Sequence, residues 1–337
     1  MSFTSLDPAA ATERIVALGG KPFHARIVRR ELLENGVLDY DEMTGLSKDL
    51  RARLALELPL VSSKEIARST SPDGTHKLLL QLASGDTVET VWMPHAKRGA
   101  TICVSTQVGC PVACPFCASG KLGLTRNLEA HEIVEQFLFA RAIGPVSRAV
   151  VMGIGEPLLN AEALVRALDV VHDDLGMGAR KVTVSTVGFP KRLDRLKDTK
   201  PRFQLAISLH SPFDEQRWRL VPAMDGVPVE DVLAAGDRWF EATGREITYE
   251  YVLLGGENAS LEHAEALADR LHGRRATVNL IPFNPIEDSP YGRPSGETAN
   301  AFREVLTERG IVATVRWSRG LDSDAACGQL RLRQASN

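Results

Sequence analysis

Residues 109–121, GCPVACPFCASGK, place Cys110, Cys114 and Cys117 in one loop rich in glycine and proline. A lone cysteine is usually a small buried hydrophobe, but three in such a loop cannot all pack that way, so metal binding is the better reading. Structural zinc wants four ligands, and no fourth Cys or His lies at finger spacing. Catalytic zinc with three protein ligands relies mostly on His and carboxylate. An iron–sulfur cluster remains, for which thiolates are the usual ligands; three would leave one iron of a cubane open.

The loop follows a β-prone run, ATICVS (100–105), and opens an alternation of short strands and amphipathic helices. Further strand candidates are RAVVMG, KVTVST, FQLAISL, EITYEYVLL, ATVNLIPF and IVATVRW. Helical periodicity marks EAHEIVEQFLFARA, NAEALVRALDVVHDD, PVEDVLAAGDRWFEATG, SLEHAEALADRLHG and GETANAFREVLTERG. This repetition predicts an α/β fold with a parallel sheet and outer helices, either an open doubly wound sheet or a partly closed barrel. In both, function collects at the C-terminal ends of the strands.

Ahead of this core, residues 1–60 read as a small helical module, with Asp7-Pro8 and Ser47 as helix starts. THKLLLQL and DTVETVWMP flank ASGD as a hairpin with Gly85 in its turn, and STSPDG before it reads as loop. The expected division is 1–60 (helical), 61–95 (linker and hairpin) and 96–337 (core).

A chain of 337 residues with 44% apolar residues supports an ordinary buried core. No apolar run approaches the roughly 18 residues of a membrane span, and the N-terminus lacks a secretory pattern. A cytoplasmic protein without membrane association is expected, with its thiols reduced. A net charge of −3 argues against a polyanion-coating surface but leaves room for a locally basic face. Arg180, Lys181, Lys191, Arg192, Arg195, Lys197 and Lys200 form such a stretch, which taken alone is a solvated helix face.

Cys-x3-Cys-x2-Cys with Phe116 before the last cysteine resembles the signature of radical S-adenosylmethionine (SAM) enzymes. TICVSTQVGC, GLTRNL, GIGEPLLN, AISLHSP, VNLIPFNP and DAACGQL together resemble the RlmN/Cfr family of adenine-methylating radical SAM enzymes, densely from residue 86 to 330. DEMTGLSKDLRARL (41–54) resembles that family's small N-terminal domain. The resemblance implies a partial (βα)6 radical SAM barrel. It also implies a 4Fe-4S cluster on Cys110, Cys114 and Cys117, whose open iron binds SAM. Gly155, Glu156, Ser185, Ser208, Leu209, His210 and Asn284 match SAM contacts, with Glu156 an acceptor for the ammonium. Cys327 matches the methyl-carrying cysteine, Cys103 the resolving cysteine that forms a transient disulfide with it, and Glu89 the general base. Read without the resemblance, Cys103 is core, Cys327 a buried helix-start residue and Glu89 a solvated hairpin residue.

The implied substrate is RNA: carbon 2 of a 23S rRNA adenosine, and also tRNA. Two SAM are used per turnover, with an external electron donor such as flavodoxin or ferredoxin, and a monomer is expected. GEPLLN is RlmN-like, whereas STVG and SLHSP lie nearer the Cfr pattern, so carbon 8 is the alternative. Two other readings stay open: a radical SAM enzyme with a non-RNA substrate, and a non-catalytic iron–sulfur or zinc module that binds RNA. Lys97, Arg98, Lys121, Arg126 and the N-terminal Arg26, Arg29, Arg30, Arg51 and Arg53 are candidate phosphate contacts.

Overall fold

Helix starts in the N-terminal part fall where side chains can accept the free first-turn amides. In the computed structural model, which describes residues 1–96, 99–121, 123–320 and 324–330, Asp7 caps α1 (Pro8–Ala17) by accepting from Ala9 and Ala10. Helix α2 (Pro22–Arg29) runs into one π-type turn at Arg30–Glu34, and Ser47 caps α3 (Lys48–Glu57). Their apolar stripes, carried by Ile15, Val28, Leu32, Leu50 and Leu54, are buried in the same apolar cluster as the rest of the chain.

Strands β1 (Lys64–Thr70), β2 (His76–Gln81) and β3 (Thr87–Pro94) form an antiparallel meander that continues into β4 (Ala100–Cys103). A small hairpin of β5 (Gln107–Gly109) and β6 (Leu124–Asn127) brackets the cysteine loop. From β4 onward the sheet is parallel through β7 (Val146–Val151), β8 (Val182–Thr186), β9 (Gln204–Ser208), β10 (Ile247–Leu253), β11 (Ala276–Pro282) and β12 (Val312–Val315). The crossovers carry α4 (Ala130–Ile143), α5 (Ala161–Asp173), α6 (Pro190–Lys197), α7 (Asp214–Leu220), α8 (Val229–Thr243), α9 (Leu261–Leu271) and α10 (Gly296–Glu308). In a closed barrel the last parallel strand would pair with β4. Here β3 already holds that edge of β4, so the sheet stays open, as a partial radical SAM barrel requires.

Strand β1 was not expected, and Ser69 and Thr70 of the anticipated loop belong to it. Its residues KEIARST are mostly exposed, so backbone pairing to β2 holds it and its side chains carry little hydrophobic period. Helix α6 escaped for a related reason, since only Leu193 and Leu196 of its charged sequence are buried.

The N-terminal helices are fastened to the core by polar groups. Glu135 of α4, fully buried, accepts from the amides of Ser62 and Ser63, from both their hydroxyls and from Thr4 Oγ1. Arg29 forms a two-point pair with Asp174 at 2.7 and 2.6 Å, so it is engaged inside the chain rather than offered to phosphate. Among the described residues no helix is long and apolar enough to cross a membrane. Glu135→Ala would strand these donors in the interior, and an unfolding free energy lower by roughly 3 kcal/mol is expected from urea denaturation.

Candidate functional site

Two adjoining cavities lie at the C-terminal ends of the parallel strands. One, of about 160 Å³, is walled by Cys110, Cys114, Cys117, Gly155, Glu156, Ser185, Ser208, His210 and Asn284. The other, of about 170 Å³, is walled by Cys103, Met93, Thr101, Arg316 and Trp317. Cys327 belongs to both walls, together with Met152 and Ile281. Leu209 does not reach either cavity: its side chain is fully buried in the core, and its amide donates to the Glu250 carbonyl.

The cysteine loop needs unusual backbone. Gly109 has φ of 81°, and a Cβ there would sit 2.0 Å from the Gly123 carbonyl oxygen. Burial pushes the Cys110 thiol up to about 12 and raises Cys114 and Cys117 as well, with the neighbouring thiols adding repulsion at Cys110 and Cys114. Such thiols ionise only when a metal supplies the balancing charge. Among the described residues, no three His, Cys, Asp or Glu side chains close around a single metal ion.

Around the loop, strand ends are stitched together. Gly155 has φ of 110°, and a Cβ would fall 2.7 Å from Gln107 Cβ and 2.8 Å from Thr106 Oγ1. Glu156, expected as an acceptor for a ligand ammonium, lines the cavity and also accepts three hydrogen bonds within the chain. Its Oε1 accepts from Leu158 N and Thr186 Oγ1, and its Oε2 from Val187 N at 2.9 Å. It therefore ties the loop after β7 to the end of β8. Ser185 and Ser208 hydroxyls lie 3.2 Å apart. His210 follows β9 at φ of 63°, stacks edge-on against Phe116 and accepts from Val252 N through Nδ1, which leaves Nε2 as the donor. Burial, helped by Arg217, pushes its pKa down to about 3, so the ring is neutral.

Cys327 is held by its backbone. Asn284 Nδ2 donates to the Cys327 carbonyl at 2.9 Å and to Ser318 Oγ at 2.8 Å. Next to it, the amide of Ala118 donates to the Gly328 carbonyl, and Ser119 Oγ to that of Leu330 at 2.6 Å. Cys103 closes β4, and burial followed by the nearby Cys327 pushes its thiol up to about 12. All five cysteines are free, so the Cys103–Cys327 disulfide is not formed in this structure.

Glu89, expected from its own pattern to be solvated, is 1% exposed. The meander continues into the main sheet, and β3 is buried on both faces along most of its length. Its carboxylate pairs with Lys77 at 3.1 Å, and Lys77 also reaches the Asp324 carbonyl, but Glu89 lines neither cavity. Of the basic candidates, Arg126 is clamped between Asp86 and Glu132, and Lys121 and Arg51 bond the carbonyls of Glu287 and Asp41. Lys97 and Arg98 lie outside the described residues. Arg180, Lys181, Lys191, Arg192, Arg195 and Lys200 are exposed.

Two charged residues of the site were missed. Arg217 is fully buried in α7 and donates to the carbonyls of Val187, Ser208 and Leu209, joining the ends of β8 and β9. No local pattern marks it. Glu250 lines the cysteine cavity from the middle of β10, and a carboxylate inside the apolar run ITYEYVL was the available signal.

The partial barrel with its cysteine loop and strand-end cavity is that of a radical SAM protein, and the profile of the radical SAM superfamily matches residues 104–271. That superfamily implies a 4Fe-4S cluster and SAM. The profile described as "Ribosomal RNA large subunit methyltransferase N-terminal domain" matches residues 3–58. A probable dual-specificity RNA methyltransferase RlmN of Parasynechococcus marenigrum (strain WH8102) is 45% identical over 95% of both chains. The corresponding protein of Trichormus variabilis is 46% identical over 94% of this chain and 88% of its own. The crystal structure of a radical SAM methyltransferase from Sphaerobacter thermophilus superimposes with a TM-score of 0.92 at 44% identity, covering 98% of this chain and 99% of that one. The chain belongs to the RlmN family of radical SAM RNA methyltransferases.

The neutral His210 has a measurable consequence. An unfolded histidine titrates near 6.5, so below that pH the unfolded chain takes up a proton that the fold refuses until about pH 3. The contribution is present above pH 6.5 and is lost as pH falls toward 3. Urea midpoints of the metal-free protein should drop through this window, and less steeply for His210→Gln, which keeps an acceptor for Val252 N.

Proposed function

We propose that this protein methylates an adenine ring carbon in RNA, using a methyl group carried on Cys327. The favoured target is carbon 2 of a 23S rRNA adenosine, with tRNA as a second substrate; the RlmN relatives are named dual-specificity RNA methyltransferases. The observation that carries the reading is the position of Cys327 in the shared wall. One side faces the three cysteines and polar strand ends; the other faces Cys103 and a chamber bordered by Met93, Arg316 and Trp317, where a flipped base would enter.

An adenine ring carbon offers no lone pair for direct displacement on SAM, so a carrier is needed. Cys110, Cys114 and Cys117 would hold the 4Fe-4S cluster, and Gly155, Glu156, Ser185, Ser208, His210 and Asn284 would contact SAM, with Leu209 shaping the strand end behind them. When bound, the cluster and SAM supply a methyl for the Cys327 sulfur and, after one-electron reduction by a flavodoxin- or ferredoxin-like donor, the means to abstract hydrogen from it. Asn284 fixes the carrier by its carbonyl. His210 offers an Nε2 proton and no charge.

Cys103 would resolve the adduct between Cys327 and the base. Its sulfur bonds the Cys327 sulfur as the bond from that sulfur to the methylene on the base breaks, the electron pair and a proton completing the methyl group. An external thiol then reduces the disulfide. A thiol pushed up to about 12 must give its proton to an acceptor as it attacks. Glu89 is proposed to take the substrate proton, and the family resemblance alone supports that role. The reading places the enzyme in a reducing, cytoplasmic setting.

Anaerobically reconstituted protein given reductant, methyl-labelled SAM and rRNA or tRNA fragments should yield 2-methyladenosine in the digested RNA by mass spectrometry. No methyladenosine from cluster-loaded protein overturns the reading, and 8-methyladenosine moves the site to carbon 8. Cys110→Ala, Cys114→Ala and Cys117→Ala should each lose the visible cluster absorption. Cys103→Ala should accumulate a protein–RNA crosslink on denaturing gels, absent when Cys327→Ala is added; normal turnover by Cys103→Ala would exclude the resolving role.

A further inference from the structure

A polar row crosses the parallel sheet, and its members Ser185, Ser208 and Glu250 line the cysteine cavity. Glu250 on β10 stands in register with Ser208 on β9 and Asn279 on β11, and Asn279 with Thr314 on β12. Residues in register on adjacent strands project to the same face. Side-chain bonds complete the row: Ser185 to Ser208 at 3.2 Å, Asn279 Nδ2 to Glu250 Oε1 at 3.1 Å, and Thr314 Oγ1 to Asn279 Oδ1 at 2.7 Å.

One atom in this row is left over. Glu250 is 3% exposed and lines the cavity, and its Oε2 is buried with no hydrogen-bond partner. Among the described residues no salt bridge reaches it; burial raises its pKa, against the Asn279 hydrogen bond and the charge of Arg316. A buried carboxylate oxygen without a donor is costly, and a fold keeps one readily where a ligand supplies the donor.

We propose that Glu250 grips the ribose of SAM, its Oε2 accepting from a ribose hydroxyl beside Ser185 and Ser208. This rests on the reading that the cavity takes SAM. Carboxylates only accept, so the partner must be an O–H or N–H. The sulfonium has neither. The amino group has Glu156 as its expected acceptor on that same reading. The adenine edge alternates donor and acceptor, which suits a backbone amide and carbonyl better than an acceptor-only group. The vicinal diol remains, and serine hydroxyls next to a carboxylate match its two O–H groups. Acidic side chains grip ribose hydroxyls by the same chemistry in dinucleotide-binding folds.

The test is a thermodynamic cycle by calorimetry on cluster-reconstituted protein, with S-adenosylhomocysteine and its 2′-deoxy and 3′-deoxy forms as probes. Wild type should bind at least one deoxy form roughly tenfold more weakly, the scale of one charge-assisted hydrogen bond. Glu250→Gln should bind S-adenosylhomocysteine roughly tenfold more weakly and be indifferent to the missing hydroxyl. Equal affinity of Glu250→Gln and wild type, or losses that simply add, overturns the proposal and leaves the SAM reading standing. Failure of wild type to bind S-adenosylhomocysteine or SAM overturns both. Should Glu250→Gln not hold its cluster, Glu250→Asp, which shortens the reach, carries the same cycle with the same outcomes.

Discussion

The site depends on a set of backbone hydrogen bonds that pin the segment bearing Cys327 against the cysteine loop. Ala118 N to the Gly328 carbonyl, Ser119 Oγ to the Leu330 carbonyl and Asn284 Nδ2 to the Cys327 carbonyl bring the far end of the chain across the mouth of the open sheet. Cys327 is flanked by Ala326 and Gly328, so its own side-chain neighbours in sequence add little packing to hold it. Main-chain carbonyls are obligatory acceptors, and satisfying them locates the segment whatever its side chains are. The two cavities share a wall because these bonds place a cysteine there.

Around that wall buried thiols, a buried neutral imidazole and the carboxylates of Glu156 and Glu250 are gathered, and the charges of Arg192, Arg217 and Arg316 reach them. Glu156 is quieted by three donors of its own chain, whereas among the described residues Glu250 has Asn279 as its one donor. An interior of this kind favours a ligand that brings positive charge and O–H groups.

Much of this was legible from local pattern. The strand–loop–helix alternation, the caps at Asp7 and Ser47 and the hairpin turn at Gly85 are set by neighbours within a few residues. Polar elements were harder: β1 is held by backbone pairing to β2, and α6 buries only Leu193 and Leu196. Charged side chains were hardest. Arg29 and Arg126 look like phosphate ligands in sequence, yet their carboxylate partners Asp174, Asp86 and Glu132 belong to other elements. Glu89 was taken for a solvated position because its burial comes from the continuation of the meander into the main sheet.

The sequence by itself determined the strand–helix alternation of the core, the cysteine triplet with its missing fourth ligand, and the family. Those are properties of spacing and of local backbone preference, which travel with the chain. Only the tertiary structure decided which polar groups are spent inside the protein and which remain for a ligand. Glu156 and Glu250 are both buried carboxylates near strand ends, and what separates them is the number of donors that distant segments bring within hydrogen-bonding reach. That number is fixed by how the strands stand side by side, and spacing along the chain carries no record of it.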